Sequence, residues 1–145
     1  MKIMVTGDRG YIGAVLMPIL IKKGYEVTGY DSGFFVDNVL EEFEDGYPKI
    51  TKDIRDVTMD NLHGVDGIIH LAGLSNDPLG EFSPKLTEDI NYNGTMRLAE
   101  LAKDAGVSRF IYASSQSMYG ISDTSGELDE DDSEKKPVTA YAIAK

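Results

Sequence analysis

Tyr141 and Lys145 stand four residues apart, and on a helix that spacing puts both side chains on one face. A lysine ammonium held beside a phenol favours the phenolate, and a phenolate can act as a general base toward an alcohol. The spacing alone fits an exposed helix or tail equally well. It acquires chemical meaning only if the rest of the chain builds a site around it.

The glycine-rich run Gly7-Asp8-Arg9-Gly10-Tyr11-Ile12-Gly13 follows a short β-branched stretch and opens an amphipathic one. In that setting, strand before and helix after, a glycine pattern reads as a phosphate-binding turn. Gly7 allows the tight turn, Gly10 lets a pyrophosphate approach the backbone, and Gly13 lets helix and sheet pack closely. Tyr11 and Ile12 open the helix, where free N–H groups and the positive dipole end meet the anion. Asp31 follows the second apolar run, and a carboxylate there accepts hydrogen bonds from ribose hydroxyls and repels a 2′-phosphate. This favours NAD over NADP. Arg9 qualifies the preference, because a guanidinium in the loop can reach a phosphate.

These groups need a frame. Apolar runs at Lys2 to Thr6, Tyr25 to Tyr30, Lys49 to Thr51, Gly67 to Ala72 and Arg109 to Ala113 read as buried strands. The spacing predicts a helix over Tyr11 to Lys23, with Ile12, Val15, Leu16, Ile19 and Leu20 on its inward stripe and Gly24 closing it. Pro18 should kink that helix or shift its start. A second helix is predicted from Ser83-Pro84 to Ala105, closed by Gly106, with Leu98, Leu101, Ala102 and Ala105 inward. Strands alternating with helices imply parallel βαβ units and a doubly wound sheet with helices on both faces. Ser32 to Tyr47 suggests a short amphipathic helix over the sheet edge. Ser122 to Glu134 is acidic, nearly free of apolar residues and lacks the ligand spacing of a calcium loop, so it reads as a solvated loop with no metal.

The chain has 145 residues, 41% of them hydrophobic, which suits one domain with a real core. Its 14 basic and 25 acidic residues give a net charge of −11, which opposes association with nucleic acid or anionic membrane. With no cysteine there is no disulfide framework and no thiolate chemistry. No signal-peptide core or membrane-length apolar run is present, and the expected setting is cytoplasmic.

Further segments carry a resemblance: Asp53-Ile54-Arg55-Asp56, His70-Leu71-Ala72-Gly73, Asn91-Tyr92-Asn93-Gly94-Thr95, and Tyr112-Ala113-Ser114-Ser115-Gln116-Ser117-Met118-Tyr119-Gly120. With the glycine loop, Asp31 and the Tyr141-Lys145 pair, and in this order, they make the chain similar to the extended short-chain dehydrogenase/reductase family. Within that family it looks like the NAD-dependent nucleotide-sugar epimerases and dehydratases, of the UDP-glucose 4-epimerase type. The resemblance implies a Rossmann-type fold, NAD as cofactor and a nucleotide sugar as substrate. It implies Ser115, Tyr141 and Lys145 as the catalytic set. It implies cofactor contacts from Asp53 and Ile54 at adenine, from Leu71, Ala72 and Gly73 at the end of the fourth strand, from Asn91 on a helix, and from Ala113 and Ser114 at the end of the fifth strand. Tyr141 and Lys145 belong to both sets. His70 reads as a packed structural histidine.

In such an enzyme Tyr141 would take the proton from a sugar hydroxyl while the same carbon gives hydride to NAD. A dehydratase of the family carries Asp-Glu after its catalytic threonine, where this chain has Gln116 and Ser117, so epimerase ranks first. A dehydratase, a reductase or a non-catalytic NAD-binding or sensing protein stays open. Members of the family continue past the Tyr-Lys helix into further strands and a sugar-gripping domain. Residues 1–145 are therefore expected to be the NAD-binding part of an enzyme roughly twice as long, a homodimer in its full-length form. Lys145 would then lie on a frayed helical end.

Overall fold

Met4, Val5 and Thr6 have no exposed surface, because the strand that carries them lies at the centre of the sheet. That strand, β1 (Lys2–Thr6), pairs in parallel with β2 (Glu26–Asp31) on one side and with β4 (Gly67–His70) on the other. β3 (Lys49–Thr51) and β5 (Arg109–Tyr112) form the edges, giving the order β3-β2-β1-β4-β5. The computed structural model describes residues 1–38, 46–121, 126–131 and 133–145. The chain winds outward from β1 to β3, crosses back, and winds the other way through β4 and β5. The reversal leaves a crevice at the carboxyl ends of β1 and β4, where such sheets bind ligands.

Alternation along the strands divides the core in two. Ile3, Val5 and Val27 face Met17 and Leu20 of α1 (Tyr11–Lys22). Met4, Tyr30 and Ile68 face the opposite way, into a larger cluster with Ile54, Val57, Leu62, Ile90, Leu98 and Ala102. Helices thus cover both faces, as predicted, and Leu98, Leu101, Ala102 and Ala105 are the inward residues expected.

The structure corrects the rotation of α1. Gly13, Met17 and Leu20 are its buried residues, whereas Ile12 and Val15 are 59% and 61% exposed. Gly13 sets this rotation: a Cβ there would collide with the Gly7 carbonyl oxygen and the Asp8 backbone, so the helix lies with that position against the loop. Pro18 neither breaks nor displaces the helix. It lies on the exposed side, where water can satisfy a carbonyl that lacks its N–H partner.

The second predicted helix is a composite. α3 (Pro84–Thr87) leads into a wide π turn over Glu88–Asn93 and then α4 (Gly94–Asp104). A further helix, α2 (Asp77–Phe82), precedes them, with Asn76 accepting the Leu79 N–H at 2.9 Å as its cap. Asn76-Asp77-Pro78 is a readable helix start that the sequence reading passed over. The last helix, α5 (Ala140–Ile143), is a single turn. Val36–Asn38 forms a 3-10 turn where a short helix was expected, and residues 39–45 of that expectation lie outside the described residues. The described residues of the acidic segment form turns and loop, residues 122–125 and 132 lying outside them. Among the described residues no group of acidic or histidine side chains could hold a metal, and no helix is long and apolar enough to cross a membrane.

A polar relay crosses the larger core cluster. His70, 1% exposed, lies between the Thr6 hydroxyl at 2.6 Å from Nδ1 and the Thr95 hydroxyl at 2.8 Å from Nε2. Thr95 must donate to the Asn91 carbonyl, 2.5 Å away, so it accepts from Nε2–H. Nδ1 then accepts from Thr6, whose oxygen accepts the Ala72 N–H at 3.3 Å. This assigns a neutral Nε2–H imidazole, every polar atom of which is satisfied.

Two stability measurements follow. Leu98 has no exposed surface, so Leu98→Ala should cost about 2–5 kcal/mol in urea unfolding. Ile111 on β5 is 58% exposed, and Ile111→Ala should change stability by no more than about 0.5 kcal/mol. Burial, aided by the charge of Lys145, lowers the His70 pKa from 6.5 to about 4. Because the unfolded chain takes up that proton first, the stabilisation is full above pH 6.5 and is lost as pH falls toward 4. Unfolding at pH 7 and pH 5 should show this slope in the native protein and a flatter one in His70→Gln. Equal slopes would refute the assignment.

Candidate functional site

The glycine loop closes over the crevice through backbone approach. Gly7 has φ of 74°, and a Cβ on it would stand 2.8 Å from the Ala72 nitrogen, so the β1 and β4 ends meet only because this residue has no side chain. Gly10 caps α1 without any side-chain hydrogen bond, leaving the leading N–H groups around Tyr11 and Ile12 to an outside acceptor. A cradle closed by glycines at one end of a helix fits a pyrophosphate. Behind the loop, Asp8 is 1% exposed. Tyr47 donates to its Oδ2 at 3.0 Å, Oδ1 has no hydrogen-bond partner, and burial raises its pKa.

Beside the loop, Asp31 closes β2 and its Oδ1 accepts the Gly33 N–H at 2.6 Å. Arg9 folds over it. Nη2 of Arg9 donates to the Asp31 carbonyl and to the Thr51 hydroxyl, each at 2.9 Å. Asp53 is more committed than the sequence suggests: Oδ1 accepts from Arg55 N and Nε at 2.9 and 3.0 Å, and Oδ2 from Nη2 at 2.8 Å. The Arg55 guanidinium beside it holds its carboxyl below the usual range, and Arg55 also reaches Asp89 at 2.7 Å. Ile54 is buried in the larger core cluster, so only its backbone is available to a ligand.

At the crevice floor, Leu71 N–H donates to the Thr6 carbonyl at 3.0 Å, and Ala72 and Gly73 continue past the loop. A Cβ on Gly73 would stand 2.9 Å from Asn91 Oδ1. Asn91 is 2% exposed. Its amide grips the Leu74 backbone at two points, accepting N–H at 2.8 Å and donating to the carbonyl at 3.0 Å. Asn91 therefore shapes the crevice wall from the π turn.

The third group lies at the end of β5. Lys145 follows the last turn of α5, yet its ammonium is anchored, in contrast to the frayed end expected: Nζ donates to the Ala113 carbonyl at 2.8 Å. It lies 4.9 Å from the ring centre of Tyr112 and 5.6 Å from that of Tyr141, distances at which an ammonium is attracted to a ring face. Burial lowers the Lys145 pKa. Tyr112 in turn stacks on His70, ring centres 5.6 Å apart. Ser115 caps the turn Gln116–Tyr119 by accepting the Ser117 N–H at 3.2 Å, and α5 packs beside that turn. Ser114 directs its hydroxyl toward Met118 sulfur at 4.0 Å.

Tyr141 and Lys145 are thus brought together, with Ala113 as anchor and the Ser115 turn alongside. What holds them is not visible in the Tyr141-Lys145 spacing. α5 is fixed by Thr139, which caps the Ala142 N–H at 3.2 Å and donates to Asp77 at 2.7 Å, and by Glu81, which accepts the Ala140 N–H at 2.6 Å. Threonine just before Ala140 is a readable cap. Tyr112 was visible as well, since strand alternation puts it on the same face as Phe110, toward the larger core cluster. Its pairing with Lys145 left no sequence signal.

The model of the NAD dependent epimerase/dehydratase family matches residues 3–145. A UDP-glucose 4-epimerase of Klebsiella pneumoniae is 33% identical over 83% of this chain and 93% of that protein. An NAD dependent NDP-hexosamine 5,6-dehydratase involved in tunicamycin biosynthesis superposes with a TM-score of 0.89 at 27% identity, covering 100% of this chain and 46% of that one. The dTDP-glucose 4,6-dehydratase of Streptomyces venezuelae, solved with NAD and TYD bound, gives a TM-score of 0.86 at 30% identity, over 100% of this chain and 48% of that one. The chain spans about half the length of these two solved relatives. With a family match along residues 3–145, the chain belongs to the NAD-dependent epimerase/dehydratase family.

Proposed function

We propose that residues 1–145 are the cofactor-holding part of a cytoplasmic, NAD-dependent enzyme that epimerises a nucleotide sugar, with the sugar-gripping surface and a homodimer contact supplied by further chain. The observation that carries this reading is the Lys145 ammonium, held by the Ala113 carbonyl at 2.8 Å beside the Tyr141 ring, in a fold whose glycine cradle fits a pyrophosphate. When bound, NAD supplies the hydride acceptor and returns the hydride. Gly7, Gly10, Gly13 and the leading N–H groups of α1 would hold its phosphates, and Asp31 its adenosine ribose.

The chain's own residues handle the proton. Tyr141 Oη takes it from the sugar hydroxyl as base and gives it back to the oxygen in the return step. Ser115 Oγ hydrogen-bonds the reacting oxygen. Lys145 keeps its positive charge beside the phenol and binds the nicotinamide ribose. The relatives named include dehydratases, and dehydration needs an acid that protonates a leaving hydroxyl. Gln116 and Ser117 occupy the turn after Ser115, and neither side chain can do so, which supports epimerisation first.

Calorimetric titration should show NAD binding to the chain and none to Gly13→Val, whose side chain would strike the Gly7 carbonyl. With UDP- and dTDP-sugars and a longer version of the chain, sugar interconversion should proceed. Tyr141→Phe should slow it by about 10²–10⁴-fold. Absence of both interconversion and reduced cofactor with every sugar would leave only a binding protein.

A further inference from the structure

Resting on the reading of Tyr141 as the base, we propose that Tyr112 is a positioning residue of the reaction: the face of its ring holds the Lys145 ammonium beside the Tyr141 phenol, in the place a carboxylate would take. Lys145 is half-buried, and of its three donors one meets a protein acceptor among the described residues, the Ala113 carbonyl at 2.8 Å. No carboxylate among the described residues pairs with it. A cation taken partly out of water needs other support. Two ring faces supply it, with Nζ 4.9 Å from the centre of Tyr112 and 5.6 Å from that of Tyr141, and such attraction strengthens as water is excluded.

Tyr112 is the nearer ring and the better fixed. It stacks on His70 with ring centres 5.6 Å apart and planes 24° apart, and His70 is pinned by Thr6 and Thr95. The ring and the Ala113 carbonyl come from adjacent residues at the end of β5, so the ammonium has a two-point seat on one element. Neither point carries charge. A carboxylate there would cancel the field of the ammonium at the phenol, whereas a carbonyl and a ring face hold the cation and leave that field in place. The groups facing Nζ are thus Tyr112, Tyr141 and the Ala113 carbonyl. His70, next to Tyr112, stays neutral above its pKa of about 4, lowered by burial and by the charge of Lys145.

An NMR titration of the lysine-labelled chain tests this, with the Lys145 resonance assigned by its loss in Lys145→Gln. Tyr112→Met and Tyr112→Leu each keep an apolar side chain in the space and remove the ring face, and a native-like amide spectrum in either one suffices. The pH at which Lys145 loses its proton should fall by about 0.5–1.5 in these variants. Tyr112→Phe keeps the face and loses the hydroxyl, and should stay within about 0.3 of the native chain. If the ring only excluded water, its removal would leave that pH unchanged or raise it toward the ordinary lysine value. Either result overturns the proposal, as does a Tyr112→Phe variant that falls with the others. In a longer version of the chain that interconverts sugars, the alkaline limb of the pH profile should move down by the same amount in Tyr112→Met and stay in place in Tyr112→Phe; an unmoved limb in Tyr112→Met overturns the positioning role. The titration uses neither NAD nor sugar, so its failure leaves the Tyr141 reading standing. Absence of interconversion in the native longer chain refutes that reading instead, and the part of Tyr112 in the reaction falls with it.

Discussion

A neutral imidazole sealed between two threonines is the interaction on which the rest of the site depends. His70 joins β1 through Thr6, the π turn through Thr95 and Asn91, and the β5 end through its stack on Tyr112. Each partner then leads to one part of the crevice. Thr6 precedes the glycine loop, Asn91 holds Leu74 in the wall, and Tyr112 lies under the Lys145 ammonium. The wide turn at Glu88–Asn93 adds one residue to the helix and brings Asn91 and Thr95 to the relay together. A buried polar chain of this kind is stabilising only when every member is satisfied, which makes the arrangement specific.

The cations of the site are set against the character of the whole molecule. A chain with net charge −11 repels anions at long range. Against that background, three cations beside the strand ends are each fixed in place by neighbouring groups. Arg9 is held by Asp31 and Thr51, Arg55 by Asp53 and Asp89, and Lys145 by a carbonyl and two rings. Fixing these side chains beforehand reduces the entropy lost when a ligand arrives.

Local rules carried most of the sequence reading. Five β-branched runs became five parallel strands, and Gly24 and Gly106 end α1 and α4 with φ of 82° and 75°. The glycine loop, Asp31 and the Tyr141-Lys145 pair were legible because each depends on chemistry within a few residues. The failures were tertiary. The apolar residues of α1 allow more than one inward face, and contact between Gly13 and the Gly7 carbonyl selected one that periodicity alone did not favour. The relay joins Thr6 to His70 across 64 positions, and no window of sequence contains both ends.

The two sides of the sheet differ at β5. Phe110 packs into the larger cluster, while Ile111 turns to the other side with more than half its surface in water. Ile12, Val15 and Ile19 of α1 are exposed as well. In solution, then, these exposed apolar side chains favour adhesion while the acidic charge favours mutual repulsion. The repulsion acts over a screening length of about 10 Å at 0.1 M salt and about 3 Å at 1 M, while the adhesion is not screened. Salt concentration therefore decides whether these molecules stay apart.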